Sequence, residues 1–190
     1  MKKAVFLDRD GVINKNPKPH HYVKKWNEFE FLPNVAEAIR RLNKEFLVIV
    51  ISNQGGIAKR RMSVEDVEDI HKQMRETLQR EGARIDAVYY CPHHPEGTLE
   101  EYRRDCPCRK PNTGLIKKAV KDFSIDLGKS FLVGDSTSDI LAGRKAGLQV
   151  ILVETGLRGS DGIYDVEPDF KTPDLLSAAE KIMALEKCLF

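Results

Sequence analysis

Long apolar runs are missing from this chain. The longest, Phe46–Ile51, is far too short to cross a bilayer. A secretory leader is not visible either: Met1–Lys3 is basic, but the apolar run Ala4–Leu7 is broken at once by Asp8, Arg9 and Asp10. No lipidation signal, internal repeat or low-complexity tract is evident. An excess of charge of either sign is also lacking. Lys plus Arg is 31 and Asp plus Glu is 29, a formal net charge of +2. That balance gives no electrostatic case for a nucleic-acid or anionic-membrane protein. A cytoplasmic location is expected, where thiols stay reduced, so the four cysteines do not read readily as two disulfides.

What is present is the composition of a globular protein. The chain has 190 residues, 41% hydrophobic and 32% charged. That length fits one domain, residues 1–190, able to bury a real core. Strand-like and helix-like segments alternate along it. Ala4–Leu7, Phe46–Ile51, Val88–Tyr90, Phe131–Val133 and Gln149–Val153 read as buried strands. Between them, apolar residues recur at helical spacing, as in Val35, Ala38, Ile39 and Leu42. Ser63, with Asp66 three residues on, is a good cap for a helix running to about Arg80. A Gly/Asp/Pro-rich loop, 155–173, precedes a last helix through Leu175, Ala179 and Ile182. The alternation predicts an α/β fold: a Rossmann-like open, mostly parallel sheet with helices on both faces and right-handed crossovers. No large cap domain is apparent.

In such sheets ligands bind beyond the carboxyl ends of the strands. The unusual polar residues fall there. The first strand ends in Asp8-Arg9-Asp10-Gly11 and the second in Ser52-Asn53-Gln54. The third runs into a cysteine loop that closes on Arg109-Lys110-Pro111, and the fourth ends in Gly134-Asp135. One Asp alone is most simply a turn or helix cap. Four strand ends together suit phosphoryl transfer: the carboxylates repel one another unless a cation sits between them, and Mg²⁺ takes oxygen ligands. A second carboxylate two residues on supplies acid and base.

The loop 91–109 holds Cys91-Pro-His93 and Cys106-Pro-Cys108. Three thiolates and an imidazole form a set that tetrahedral Zn²⁺ accepts, with His94 a competing ligand and unligated thiols the plain alternative. No open fourth position is left, so the zinc would be structural.

These residues resemble the haloacid dehalogenase (HAD) superfamily of phosphatases. The match is Phe6-Leu-Asp8-Arg-Asp10-Gly-Val for the first motif, Ile51-Ser52-Asn53 for the second, Lys110 for the third, and Gly134-Asp135 with Asp139 for the fourth. The resemblance implies Asp8 as nucleophile and Asp10 as general acid/base, with Ser52 and Lys110 holding the phosphoryl group. It implies Mg²⁺ on Asp8, the Asp10 backbone carbonyl and Asp135, with Asp139 supporting the metal's water shell. The cysteine loop is similar to that of the bacterial D-glycero-D-manno-heptose 1,7-bisphosphate 7-phosphatases, which serve lipopolysaccharide or surface-layer glycan synthesis. Their Cys-x-His pattern favours His93 as the zinc ligand. The resemblance makes Arg109 a substrate contact, with Asn53, Gln54 and the loop Asn16–Tyr22 as weaker candidates. Ser136 stands where some members carry a substrate-contacting lysine. A monomer acting on a sugar phosphate, with no nucleic-acid or membrane partner, is expected. Histidinol-phosphate phosphatase, a non-catalytic zinc-stabilised scaffold and DNA 3′-phosphatase chemistry are the alternatives.

Other residues carry no functional expectation. Trp26, Phe29 and Phe31 read as packing, Lys117, Lys118 and Lys121 as solvated, His71 as exposed and Cys188 as a packed or frayed thiol.

Overall fold

The computed structural model describes residues 1–16 and 22–187. Cys188 and most of the loop Asn16–Tyr22 lie outside the described residues. Six parallel strands form one sheet: β1 (Ala4–Leu7), β2 (Leu47–Asn53), β3 (Ala87–Cys91), β4 (Phe131–Gly134), β5 (Gln149–Val153) and β6 (Phe170–Thr172). Their order is β3-β2-β1-β4-β5-β6. The helices are α1 (Val35–Leu42), α2 (Val64–Arg80), α3 (Gly114–Phe123), α4 (Thr137–Ala146) and α5 (Leu175–Lys187).

The central strand β1, its neighbour β4 and β2 as far as Ile51 are apolar because both faces are covered. Val5, Leu7, Val48, Val50, Phe131 and Val133 point to one side, where they pack with Ile39 and Leu42 of α1, Met74 and Leu78 of α2, and Ile182 of α5. Phe6, Ile49, Ile51 and Leu132 point to the other, against Leu115 and Ile116 of α3 and Ile140 of α4. Each fully buried Ile or Leu contributes about 1.5–3 kcal/mol by leaving water. Trp26, Phe29 and Phe31 pack against the first of these cores, with Trp26 and Phe29 stacked at 4.9 Å.

Two expectations need correction. The stretch 155–173 is not all loop: Phe170–Thr172 is a sixth strand, aligned on Ile151–Val153. It is only three residues long and lies at the sheet edge, so its own sequence carries too short a pattern to announce it. His71 is buried, not exposed, at 6% accessibility. Asp69, Lys72 and Gln73 around it are polar, but it falls on the inward stripe of α2 with Val67, Ile70, Met74 and Leu78.

Among the described residues no helix is long and apolar enough to cross a membrane. Residues 92–113, between β3 and α3, carry one short 3₁₀ turn, Glu100–Tyr102.

Candidate active site

Strand β1 sits at the centre of the sheet, between β2 and β4. Its carboxyl end therefore receives residues from both sides. The Asp8 backbone N–H donates to the Val133 carbonyl at 3.0 Å, extending the β1–β4 pairing by one step. A tight turn follows, in which the Arg9 carbonyl accepts from Ile13 and Asn14. Gly11, at φ +84°, makes that turn possible.

The buried Lys110 ammonium lies at the junction. It is 2.8 Å from Asp8 Oδ1 and 2.6 Å from Asp139 Oδ1, and it donates to the Ile51 carbonyl at 3.0 Å. Asn53 clasps the same residue from β2: its Nδ2 donates to the Lys110 carbonyl, and its Oδ1 accepts from the Lys110 N–H, both at 3.0 Å. Both polar atoms of this expected substrate contact are thus engaged in holding the lysine backbone. Gln54 Nε2 donates to Ser52 Oγ at 2.8 Å and to Asp10 Oδ2 at 3.3 Å.

Asp8, Asp135 and Asp139 bring carboxylate oxygens within 4.8 Å of one another. Burial, opposed by Lys110 and reinforced by Asp139, pushes Asp8 up to about 7. Burial together with Asp8 and Asp139 pushes Asp135 up to about 8. Lys110 goes the other way: burial disfavours its charge, but Asp139 and Asp8 hold it above the ordinary lysine range. Three clustered carboxylates facing one ammonium are short of positive charge. A hard divalent cation suits that donor set, and Mg²⁺ prefers such oxygens. Asp139 is also tied to its own helix, its Oδ2 accepting from the Ser136 N–H and hydroxyl in a capping box at the start of α4. The Ser136 hydroxyl therefore serves the helix cap. Asp135 Oδ2 accepts from the Leu157 N–H at 2.7 Å and from Asn16 Nδ2 at 3.0 Å.

Asp10 is held differently. Asn14 Nδ2 donates to its Oδ1 at 2.8 Å, and the guanidinium of Arg9 forks onto both oxygens at 3.0 and 2.9 Å. Burial favours its protonated form, yet the Arg9 charge and these hydrogen bonds hold Asp10 below the usual carboxylate range. Arg9 itself is 1% exposed. The sequence shows it only as the residue between Asp8 and Asp10. A buried arginine beside a carboxylate is its only signal there, and that requires knowing the burial.

In the loop after β3, the ligand atoms of Cys91, His93 and Cys106 lie within 4.8 Å of one another. His93 turns Nδ1 to Cys91 Sγ at 3.7 Å, while its Nε2 faces Arg104. Cys108 stands outside that mutual set but beside Cys106, whose sulfur accepts its backbone N–H at 3.4 Å. The three cysteines are free thiols, and burial pushes Cys91 up to about 12. Three sulfurs and a ring nitrogen gathered in a polar loop are a donor set that zinc fits. His94 is turned elsewhere, its Nδ1 accepting from the Glu96 N–H at 3.0 Å. Arg109 donates to the His93 carbonyl at 3.3 Å, and burial depresses its guanidinium below the usual arginine range. It is thereby held against the cysteine loop, one residue before Lys110 in the chain.

Known proteins are similar to this chain. The HAD-hydrolase-like family model matches residues 107–178. D-glycero-β-D-manno-heptose-1,7-bisphosphate 7-phosphatase of Rhodopseudomonas palustris is 45% identical over 148 residues, covering 77% of this chain and 81% of that protein. The Escherichia coli K12 protein of the same name is 40% identical over 155 residues, 80% of each chain. Among solved structures, D,D-heptose 1,7-bisphosphate phosphatase from B. bronchiseptica, complexed with magnesium and phosphate, superposes with a TM-score of 0.83. It is 31% identical and covers 96% of this chain and 99% of its own.

Proposed function

We infer the reaction from one premise: this chain belongs to the D-glycero-β-D-manno-heptose-1,7-bisphosphate 7-phosphatase family of HAD-like hydrolases. The chain is a Mg²⁺-dependent phosphatase, and its substrate is the 7-phosphate of D-glycero-β-D-manno-heptose 1,7-bisphosphate. The observation that carries this reading is the buried array of Asp8, Lys110 and Asp139 beside Asp135 at the strand ends.

Asp8 attacks phosphorus in line, and the bond from phosphorus to the sugar oxygen breaks. Asp10 gives the leaving oxygen its proton. It then takes one from the water that attacks the aspartyl-phosphate, releasing phosphate and restoring Asp8. The resting Asp10 is held ionised by Arg9. A phosphate dianion arriving beside it raises its affinity for a proton, since like charge disfavours the ionised form. Lys110 neutralises Asp8 and the phosphoryl oxygens, and Ser52 donates to them. Asp8, the Asp10 carbonyl and Asp135 would hold the Mg²⁺, which supplies the remaining positive charge at the phosphoryl group.

Arg109 reaches the far end of the sugar phosphate, where its fork suits a second phosphate. Cys91, His93, Cys106 and Cys108 would hold a zinc ion, which would fix the loop 91–109 that carries Arg109. Residues 1–190 act as one domain and a monomer, in the cytoplasm, with no nucleic-acid or membrane partner.

Phosphate release with Mg²⁺ tests the reading, using heptose 1,7-bisphosphate, histidinol phosphate and a 3′-phosphorylated oligonucleotide. The heptose substrate should turn over fastest by kcat/KM, and Asp8→Asn should lose about 10³-fold or more. Faster turnover of another substrate would overturn the assignment. Unchanged turnover in Asp8→Asn would sink the covalent route.

A further inference from the structure

Two buried side chains lie at the back of the site: Arg9, which holds Asp10 ionised, and His71, which has no place in the reaction above. Arg9 is 1% exposed and His71 6%. Arg9 Nη2 and Nε reach the Asp10 carboxylate, and Arg9 Nη1 donates to His71 Nε2 at 3.2 Å. A guanidinium can only donate, so Nε2 accepts and His71 is neutral with its proton on Nδ1. Its ring lies 5.4 Å from that of Tyr90, tilted by 57°. The histidine comes from the middle of α2, a helix anchored in the core by Val67, Ile70, Met74 and Leu78.

A flexible arginine could place its fork in many positions. Here one end is fixed by a ring on a packed helix, and the other end fixes Asp10. We propose that His71 and Arg9 are positioning residues for Asp10: His71 sets the plane of the guanidinium, and the guanidinium sets where the Asp10 carboxylate stands relative to the reacting oxygens. The proposal rests on the reading of Asp10 as the acid/base group. It assigns to α2, a helix that contributes no residue to the proposed chemistry, control over the rate of that chemistry. Proton transfer requires donor and acceptor within hydrogen-bond reach, and small misplacements are costly. Substrate binding depends on Lys110, Ser52 and Arg109, none of which His71 touches. The signature is therefore a change in kcat without one in KM.

The test compares His71→Leu, which removes the acceptor, with His71→Gln, which retains one. With heptose 1,7-bisphosphate and saturating Mg²⁺, His71→Leu should lower kcat about tenfold or more and leave KM within about twofold. His71→Gln should recover most of the loss. In an Asp10→Asn background, His71→Leu should cost nothing further, because the group being positioned has lost its function. Equal kcat for folded wild type and His71→Leu would overturn the proposal. So would equal losses in His71→Leu and His71→Gln, or an undiminished loss in the Asp10→Asn background. If His71→Leu does not fold, Arg9→Lys takes its place: it keeps the charge and loses the fork, with the same kcat loss expected. Full activity in Asp10→Asn would instead overturn the acid/base reading itself.

Discussion

Asp135 stands where it does because two glycines leave room for it. A Cβ built on Gly11 would fall 2.1 Å from Asp135 Oδ2, and one on Gly156 would fall 2.0 Å from the same atom. Both glycines have positive φ, +84° and +67°. Thr155 Oγ1 donates to the Gly11 carbonyl at 2.6 Å, tying the two turns together. Gly11→Ala therefore meets a backbone penalty and a collision at the carboxylate expected to hold Mg²⁺. Activity should fall about 100-fold or more, and stability by about 1–3 kcal/mol. Phosphate release across a Mg²⁺ titration, together with thermal unfolding, checks this. Wild-type Mg²⁺ dependence in the alanine variant would contradict it. At this scale the sequence was informative where chemistry demanded a residue type at a strand end, as at Asp8, Ser52, Lys110 and Asp135. It was silent where a role depends on a distant partner. The Arg9–His71 contact spans 62 positions, and neither residue marks the other. Asn53 showed its polarity but not its attachment to the Lys110 backbone.

Elements were legible in proportion to their length and packing. Helix α2 is announced by Ser63 and Asp66, and the structure contains that reciprocal capping box. Strand β6 is three residues at an edge and went unread. The loop 91–109 holds one short 3₁₀ turn and little other regular structure, so a metal is expected to fix its shape. Purified protein should carry about one equivalent of zinc by elemental analysis, and Cys106→Ser should lose it. Cys106 is the informative choice because it neighbours both Cys91 and Cys108. Loss of zinc should raise KM through Arg109, which donates to the His93 carbonyl inside this loop. Protein that is free of zinc yet has an unchanged KM would refute the role given to the loop.

For the whole molecule, His71 also ties stability to pH. Burial first, then the Arg9 charge, depresses it from 6.5 to about 3, with Asp10 pulling weakly the other way. Tyr90 and, beyond it, Glu68 complete its surroundings. Above pH 6.5 the residue is neutral in both folded and unfolded chains and adds no slope. Below that value the unfolded chain takes up a proton that the folded site refuses until about pH 3. Stability should therefore fall with acidification by up to about 1.4 kcal/mol per pH unit from this residue alone. His71→Gln lacks the effect, so the gap between its unfolding free energy and that of wild type should shift in its favour between pH 6.5 and 4. Denaturant curves across that range measure it, and parallel pH profiles would argue against a buried neutral histidine.

The central place of β1 has one more consequence, and it concerns time. Val5 pairs with Phe131, so the first strand made waits for the fourth before it has a neighbour on that side. Pairings across such a separation in the chain form late and slowly. On the ribosome, the segment carrying Asp8 emerges early but meets Lys110 and Asp135 only when the second half of the chain has followed it. A nascent or truncated chain lacking β4 would hold its acidic motif without the sheet that gathers the other ligands. The capacity to handle phosphate thus arrives at once, near the end of synthesis, rather than growing with the chain.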